Sequence, residues 1–160
     1  MATVPDNNNA QSAVLESFFP ISTEPATLPT GVPTEVQTEF REAELCAANG
    51  ANRAASALFR SVLEKTLKLN GYVKGNDPTL TDLQKRIDAA AADGAITDAR
   101  RRRAHDEIRS LGNDVLHDDW RVVLPEEVED AHRYMQRILE DFYDDRATVE
   151  KILKAKKRIP

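Results

Sequence analysis

Apolar residues return every three to four positions along most of this chain, and the phase breaks at a few Gly, Asn, Asp and Pro positions. Pro33-Thr34 suits a helix start, because proline's missing N–H is not needed in a first turn. From there Val36, Phe40, Ala43 and Ala47 predict a first helix that Asn49-Gly50 stops. A second is expected over 51–69, with Ala55, Leu58, Phe59, Val62, Leu63 and Thr66 on one face and Gly71 closing it. Pro78 opens a third, which turns Leu80, Leu83, Ile87 and Ala90 inward before a turn at Asp93-Gly94. A fourth runs from about Thr97 towards His117 along Ala104, Ile108, Leu111 and Val115. Pro125 opens a fifth, with Val128, Ala131, Met135, Ile138, Leu139 and Phe142 towards the core. Nothing alternates with the period of two that a half-buried strand needs. The pattern predicts an all-α bundle of about five helices.

The two ends read differently. Residues 1–33 hold five of the eight prolines, the Asn7–Asn9 run and many Ser and Thr, which predicts a disordered, proline-rich arm. Within it, residues 13–21 form an apolar island carrying Phe18 and Phe19. This island either folds back onto the domain or serves as a docking motif for a protein partner. Residues 34–145 are the folded domain, and 146–160 a basic tail, helical or mobile.

Composition narrows the function classes. A formal net charge of −5 offers no general attraction to nucleic acid, so any such contact needs a local basic patch. Cys46 is the single cysteine, which leaves no disulfide framework or cysteine-based zinc site within one chain and suits a reducing, cytoplasmic setting. No basic residue precedes Arg41, as a signal or transit peptide would require, and no apolar run approaches the roughly 18 residues that span a bilayer. The expectation is a soluble protein without membrane contact. His105 and His132 lack a partner at metal-ligand spacing, and no phosphate loop, nucleophile elbow or dinucleotide fingerprint is present. No cofactor or metal is expected.

The fourth helix carries the chemistry. Arg109, Asn113 and His117 stand four apart, so on a continuous helix each drifts only about 40° from the last. His105 and Arg102 extend the same face. An imidazole moves protons near neutral pH, and a guanidinium holds a phosphate through two parallel bonds. Gly112-Asn113 is also a helix-stop pair, in which case Asn113 caps backbone and His117 is an interface residue. Arg60 and Glu64, with Arg53 two turns back, form either a solvated ion-paired face or support for Arg109 and His117. Arg100, Arg101, Arg102 and Arg103 form either a helix start partly neutralised by Asp98 and Asp106 or a nucleic-acid-binding patch.

Val36-x-x-Glu39-Phe40-x-Glu42-Ala43-x-x-Cys46, then Ala54-Ala55-x-x-Leu58-x-Arg60-x-x-Leu63-Glu64, then Ile108-Arg109-x-x-Gly112-Asn113-x-x-x-His117 together resemble domain of unknown function 4145. That family is grouped with the HEPN-like helical superfamily of prokaryotic conflict systems, and the resemblance spans about residues 33–145. It implies a HEPN-like bundle that dimerises through the helices bearing the arginine and histidine. It also implies metal-independent RNA cleavage in a prokaryotic or phage conflict system (phage defence among them). Arg109 would be the phosphate clamp, His117 the acid–base group and Asn113 the positioning group. Arg60, Glu64 and His105 would stand behind them. The Arg109–His117 spacing is longer than in the superfamily's active ribonucleases, and many members are non-catalytic. The alternative it implies is a dimeric protein-interaction module that regulates a partner.

Overall fold

A computed structural model of the protein describes residues 25–108 and 121–160, apart from the side chains of His105, Glu107 and Ile108. The described residues form six helices and no strand: α1 (Thr34–Ala48), α2 (Asn52–Leu69), α3 (Leu83–Asp93), α4 (Asp98–Ile108), α5 (Pro125–Tyr143) and α6 (Arg146–Ala155). The fold is all-α. α1, α2, α3 and α5 stand close to where the hydrophobic phase puts them, α4 does so as far as Ile108 with its expected course towards His117 outside the described residues, and the sixth comes from the basic tail.

The starts and stops have identifiable causes. Gly50 takes φ +72° and lets α1 reverse into α2 through Asn49–Ala51. α3 begins later than Pro78 suggests. The Asp77 carboxylate accepts from the Thr79 N–H (3.0 Å) and hydroxyl (2.6 Å), a local turn that competes with helix. The helix then starts behind Asp82, whose Oδ1 accepts from the Lys85 N–H at 2.9 Å. Leu80 is nonetheless buried with Leu83, Ile87 and Ala90. At α5, Pro125 occupies the first turn and Glu127 Oε2 accepts from the Leu124 N–H at 2.9 Å.

α1 and α2 form an antiparallel hairpin that packs on α5; α3 and α4 pair with each other, and α4 also lies on α5. Phe40 and Phe59 meet edge to face, 5.4 Å between centroids, at the centre of the hairpin. Val62, Leu63, Leu67, Ile87, Met135, Ile138, Leu139 and Phe142 complete a continuous core. Leu58, expected inward, is only partly buried at its margin.

Residues 25–33, which composition assigns to the arm, are held on the domain. Val32 is buried, and Ala26 and Leu28 pack on the core. Gln37 Nε2 donates to the Val32 carbonyl (2.7 Å), Arg41 Nη2 to that of Ala26 (2.8 Å) and Gln136 Nε2 to that of Thr27 (3.3 Å). The tail is held as well. Val149 and Leu153 of α6 are buried. Arg158 donates to Asp93 Oδ2 (2.8 Å) and Asp77 Oδ2 (3.0 Å) and lies over the Tyr72 ring, 5.1 Å from its centroid. No helix among the described residues is long and apolar enough to cross a membrane.

Candidate functional site

Arg109, Asn113 and His117, the catalytic candidates, lie outside the described residues, as do Phe18 and Phe19. His105 belongs to α4 by its backbone, with its side chain outside the description. Of the supporting residues, Arg60 and Glu64 are described and paired: Arg60 Nε donates to Glu64 Oε1 at 3.0 Å. The pair is unequal, because the Glu64 side chain is 44% exposed and that of Arg60 only 21%. Among the described residues, Arg60 Nη1 is fully buried without a hydrogen-bond partner, and so is the hydroxyl of Ser56 one turn earlier. Asn52, Ser56, Arg60 and Glu64 therefore make a polar stripe along α2, four residues per step. Two buried donors on it find no partner among the described residues, a costly arrangement that a polar ligand or side chain would relieve.

Arg100, Arg101 and Arg102 of α4 face carboxylates. Arg100 Nε sits 3.5 Å from Asp141, Arg101 pairs with Asp98 (2.8 Å) and Asp88 (3.8 Å), and Arg102 pairs with Asp98 (3.1 Å). Successive helical positions point 100° apart, so Arg100 reaches Asp141 on α5 while Arg101 and Arg102 share Asp98, with Arg101 also near Asp88. Burial pushes the Asp141 carboxyl above its usual range, although the Thr97 N–H and Arg100 pull the other way.

A constellation that sequence reasoning passed over sits between α1 and α5. His132 Nε2 lies 2.8 Å from Glu44 Oε1, and its ring packs against Phe40 (5.3 Å) and Phe59 (5.6 Å). Glu44 Oε1 also accepts from the Ala26 N–H (2.8 Å), while Oε2 accepts from Arg41 Nη1 (2.6 Å). Burial would raise the Glu44 carboxyl, but the hydrogen bonds from His132, Ala26 and Arg41 outweigh it and hold the group below its ordinary value. Beside this pair opens a cavity of about 220 Å³, walled by Ala47, Ala48, Pro125 and Val128 with Asn52 among its lining. A signal existed in the chain. His132 stands four after Val128 and three before Met135, inside the apolar stripe of α5 rather than on its polar face. Among the described residues no group of His, Cys, Asp and Glu has the arrangement that holds a metal ion.

The model that defines the family described as domain of unknown function (DUF4145) matches residues 41–159. The chain belongs to this family. The DUF4145 match begins in the last two turns of α1 and runs through α6, so it takes in Glu44, the α2 stripe, His132, Arg158 and residues 109–117. The strap of residues 25–33 precedes it. Neither a curated protein nor a solved structure matches the chain.

Proposed function

We propose that this DUF4145 protein is a HEPN-like, metal-independent endoribonuclease of a prokaryotic or phage conflict system, working in the cytoplasm with its site assembled in a homodimer. One observation carries it. The Arg109-x-x-Gly112-Asn113-x-x-x-His117 element falls inside the family match, on the same chain as the α2 stripe that accompanies it in the resemblance.

The chemistry needs few groups. His117 accepts the proton of a ribose 2′-hydroxyl as that oxygen attacks the neighbouring phosphorus. Arg109 holds the non-bridging oxygens and stabilises their growing charge. The 5′-oxygen leaves with a proton from the surrounding water, which gives a 2′,3′-cyclic phosphate and a 5′-hydroxyl end. Asn113 positions His117 or the phosphate. The unfilled donors Ser56 Oγ and Arg60 Nη1 on α2 suit a supporting role towards an anion or a carbonyl. Arg100, Arg101 and Arg102 of α4, already paired with Asp88, Asp98 and Asp141, contribute less than their number suggests.

The test is incubation of the purified protein with total RNA in EDTA, followed by analysis of the product ends. Cyclic phosphate ends, lost in His117→Ala and formed about 100-fold more slowly in Arg109→Ala, are the expected result. Intact RNA, together with a dimer that His117→Ala splits, would replace this reading with the non-catalytic interaction module.

A further inference from the structure

The groove between α1 and α5 is already partly filled by the chain's own strap. Bonds from Gln37 to Val32, Gln136 to Thr27 and Glu44 to Ala26 show the strap running antiparallel to α1, two turns of helix for six strap residues. The described chain begins at Pro25, beside Glu44 and His132. One turn further along both helices lies the 220 Å³ cavity between Ala47, Ala48, Pro125 and Val128. The groove thus continues where the described strap starts, and its lining turns apolar there.

We infer that the segment Phe18–Ile21 of the same chain docks in this cavity, prolonging the course of the strap. Reach is ample. Seven positions separate Phe19 from Ala26, up to about 25 Å of extended chain. α1 rises only about 6 Å from Glu44 to Ala48. The chemistry matches, because Phe18-Phe19-Pro20-Ile21 is the uncharged, most apolar stretch upstream of Pro25. Glu44 and Glu129 among the lining disfavour an anionic guest such as nucleic acid. Asn52 Nδ2 holds the Val123 carbonyl at 3.1 Å, which brings exposed Val122 and Leu124 to the same end of the groove. A tether this short sets an effective concentration of roughly millimolar, so the chain's own segment prevails over that of a second copy at ordinary protein concentrations.

Methyl NMR of the full chain, wild type against the Phe18→Ala/Phe19→Ala double variant, tests the assignment. Loss of aromatic ring-current shifts at Ala47, Ala48 and Val128, with Val149 and Leu153 unmoved and spectra independent of dilution, is the expected result. Unchanged cavity methyls overturn it. Shifts that fade on dilution also overturn it, because the guest is then a second copy's segment. Ala48→Glu gives an independent readout at a half-buried helix end. It should speed chymotryptic cleavage after Phe18 about tenfold at unchanged helix content. Equal cleavage rates would count against docking.

Discussion

Gly71 shows how much one position can demand. Its φ is +85°, and a Cβ placed there would stand 2.0 Å from the Arg158 carbonyl oxygen, backbone that cannot move without lifting the C-terminal segment. Gly94 has the same φ with nothing within 4 Å. Gly94→Ala therefore carries only the left-handed penalty, about 1–2 kcal/mol, whereas Gly71→Ala should cost at least about 2 kcal/mol more and loosen α6. Denaturant melts of the two variants make the comparison. Glu44 makes a prediction about pH. Its folded carboxyl is held below the ordinary value, so its contribution is complete above about pH 4.3 and is lost as pH falls through the lowered folded value. Glu44→Gln should be less stable at pH 7 by about 1–3 kcal/mol, with the gap to wild type closing towards pH 3. A gap that stays constant down to pH 3 would mean that Glu44 acts only by packing.

At the scale of elements, α2 and α5 hold the bundle together. Leu63 and Ile138 are fully buried, one on each, and truncation of either to Ala should cost about 2–5 kcal/mol through lost burial and an unfilled cavity. Leu45, on α1 but 63% exposed, should lose less than about 0.5 kcal/mol on the same change. Urea titrations of the three variants test the assigned faces together. The third helix shows what periodicity misses. Leu80 keeps the phase of α3 and is buried, yet the Asp77–Thr79 bonds turn the chain there and delay the helix to Leu83. The tail, expected to be helical or mobile, is a helix over Arg146–Ala155, and one turn past it Arg158 meets two carboxylates and an aromatic face distant in sequence.

At the scale of the whole molecule, α4 connects the two halves of the problem. Its described part packs on α3 and α5 and leads directly into residues 109–117. Should those residues cut RNA, binding should weaken only modestly with salt. Arg100, Arg101 and Arg102 of α4 already face protein carboxylates, so these three release few counterions from RNA. Measured between 50 and 200 mM salt, affinity should fall by about tenfold or less; a loss of 1000-fold would restore the α4 arginines as the main RNA contact.

The all-α class, the family and the helices over the described residues were legible in the chain, because burial of one stripe per helix imposes a 3.6-residue period that any reader of the residues can detect. Arg60 and Glu64 were visible as a pair for the same reason, four residues being one turn. What the period cannot express is which elements meet. The strap's bonds to Glu44 and Gln136, the seating of Arg158 between Asp77 and Asp93, and the union of Glu44 with His132 join residues at least 18 positions apart. Each depends on packing angles and loop reversals, and none leaves a mark at fixed spacing in the sequence. Tertiary structure alone decided that a carboxylate on α1 and an imidazole on α5 share one buried hydrogen bond. It also distributed Arg100, Arg101 and Arg102 of α4 among Asp141, Asp88 and Asp98, because a helix points neighbouring side chains 100° apart and the folded surroundings choose the partners.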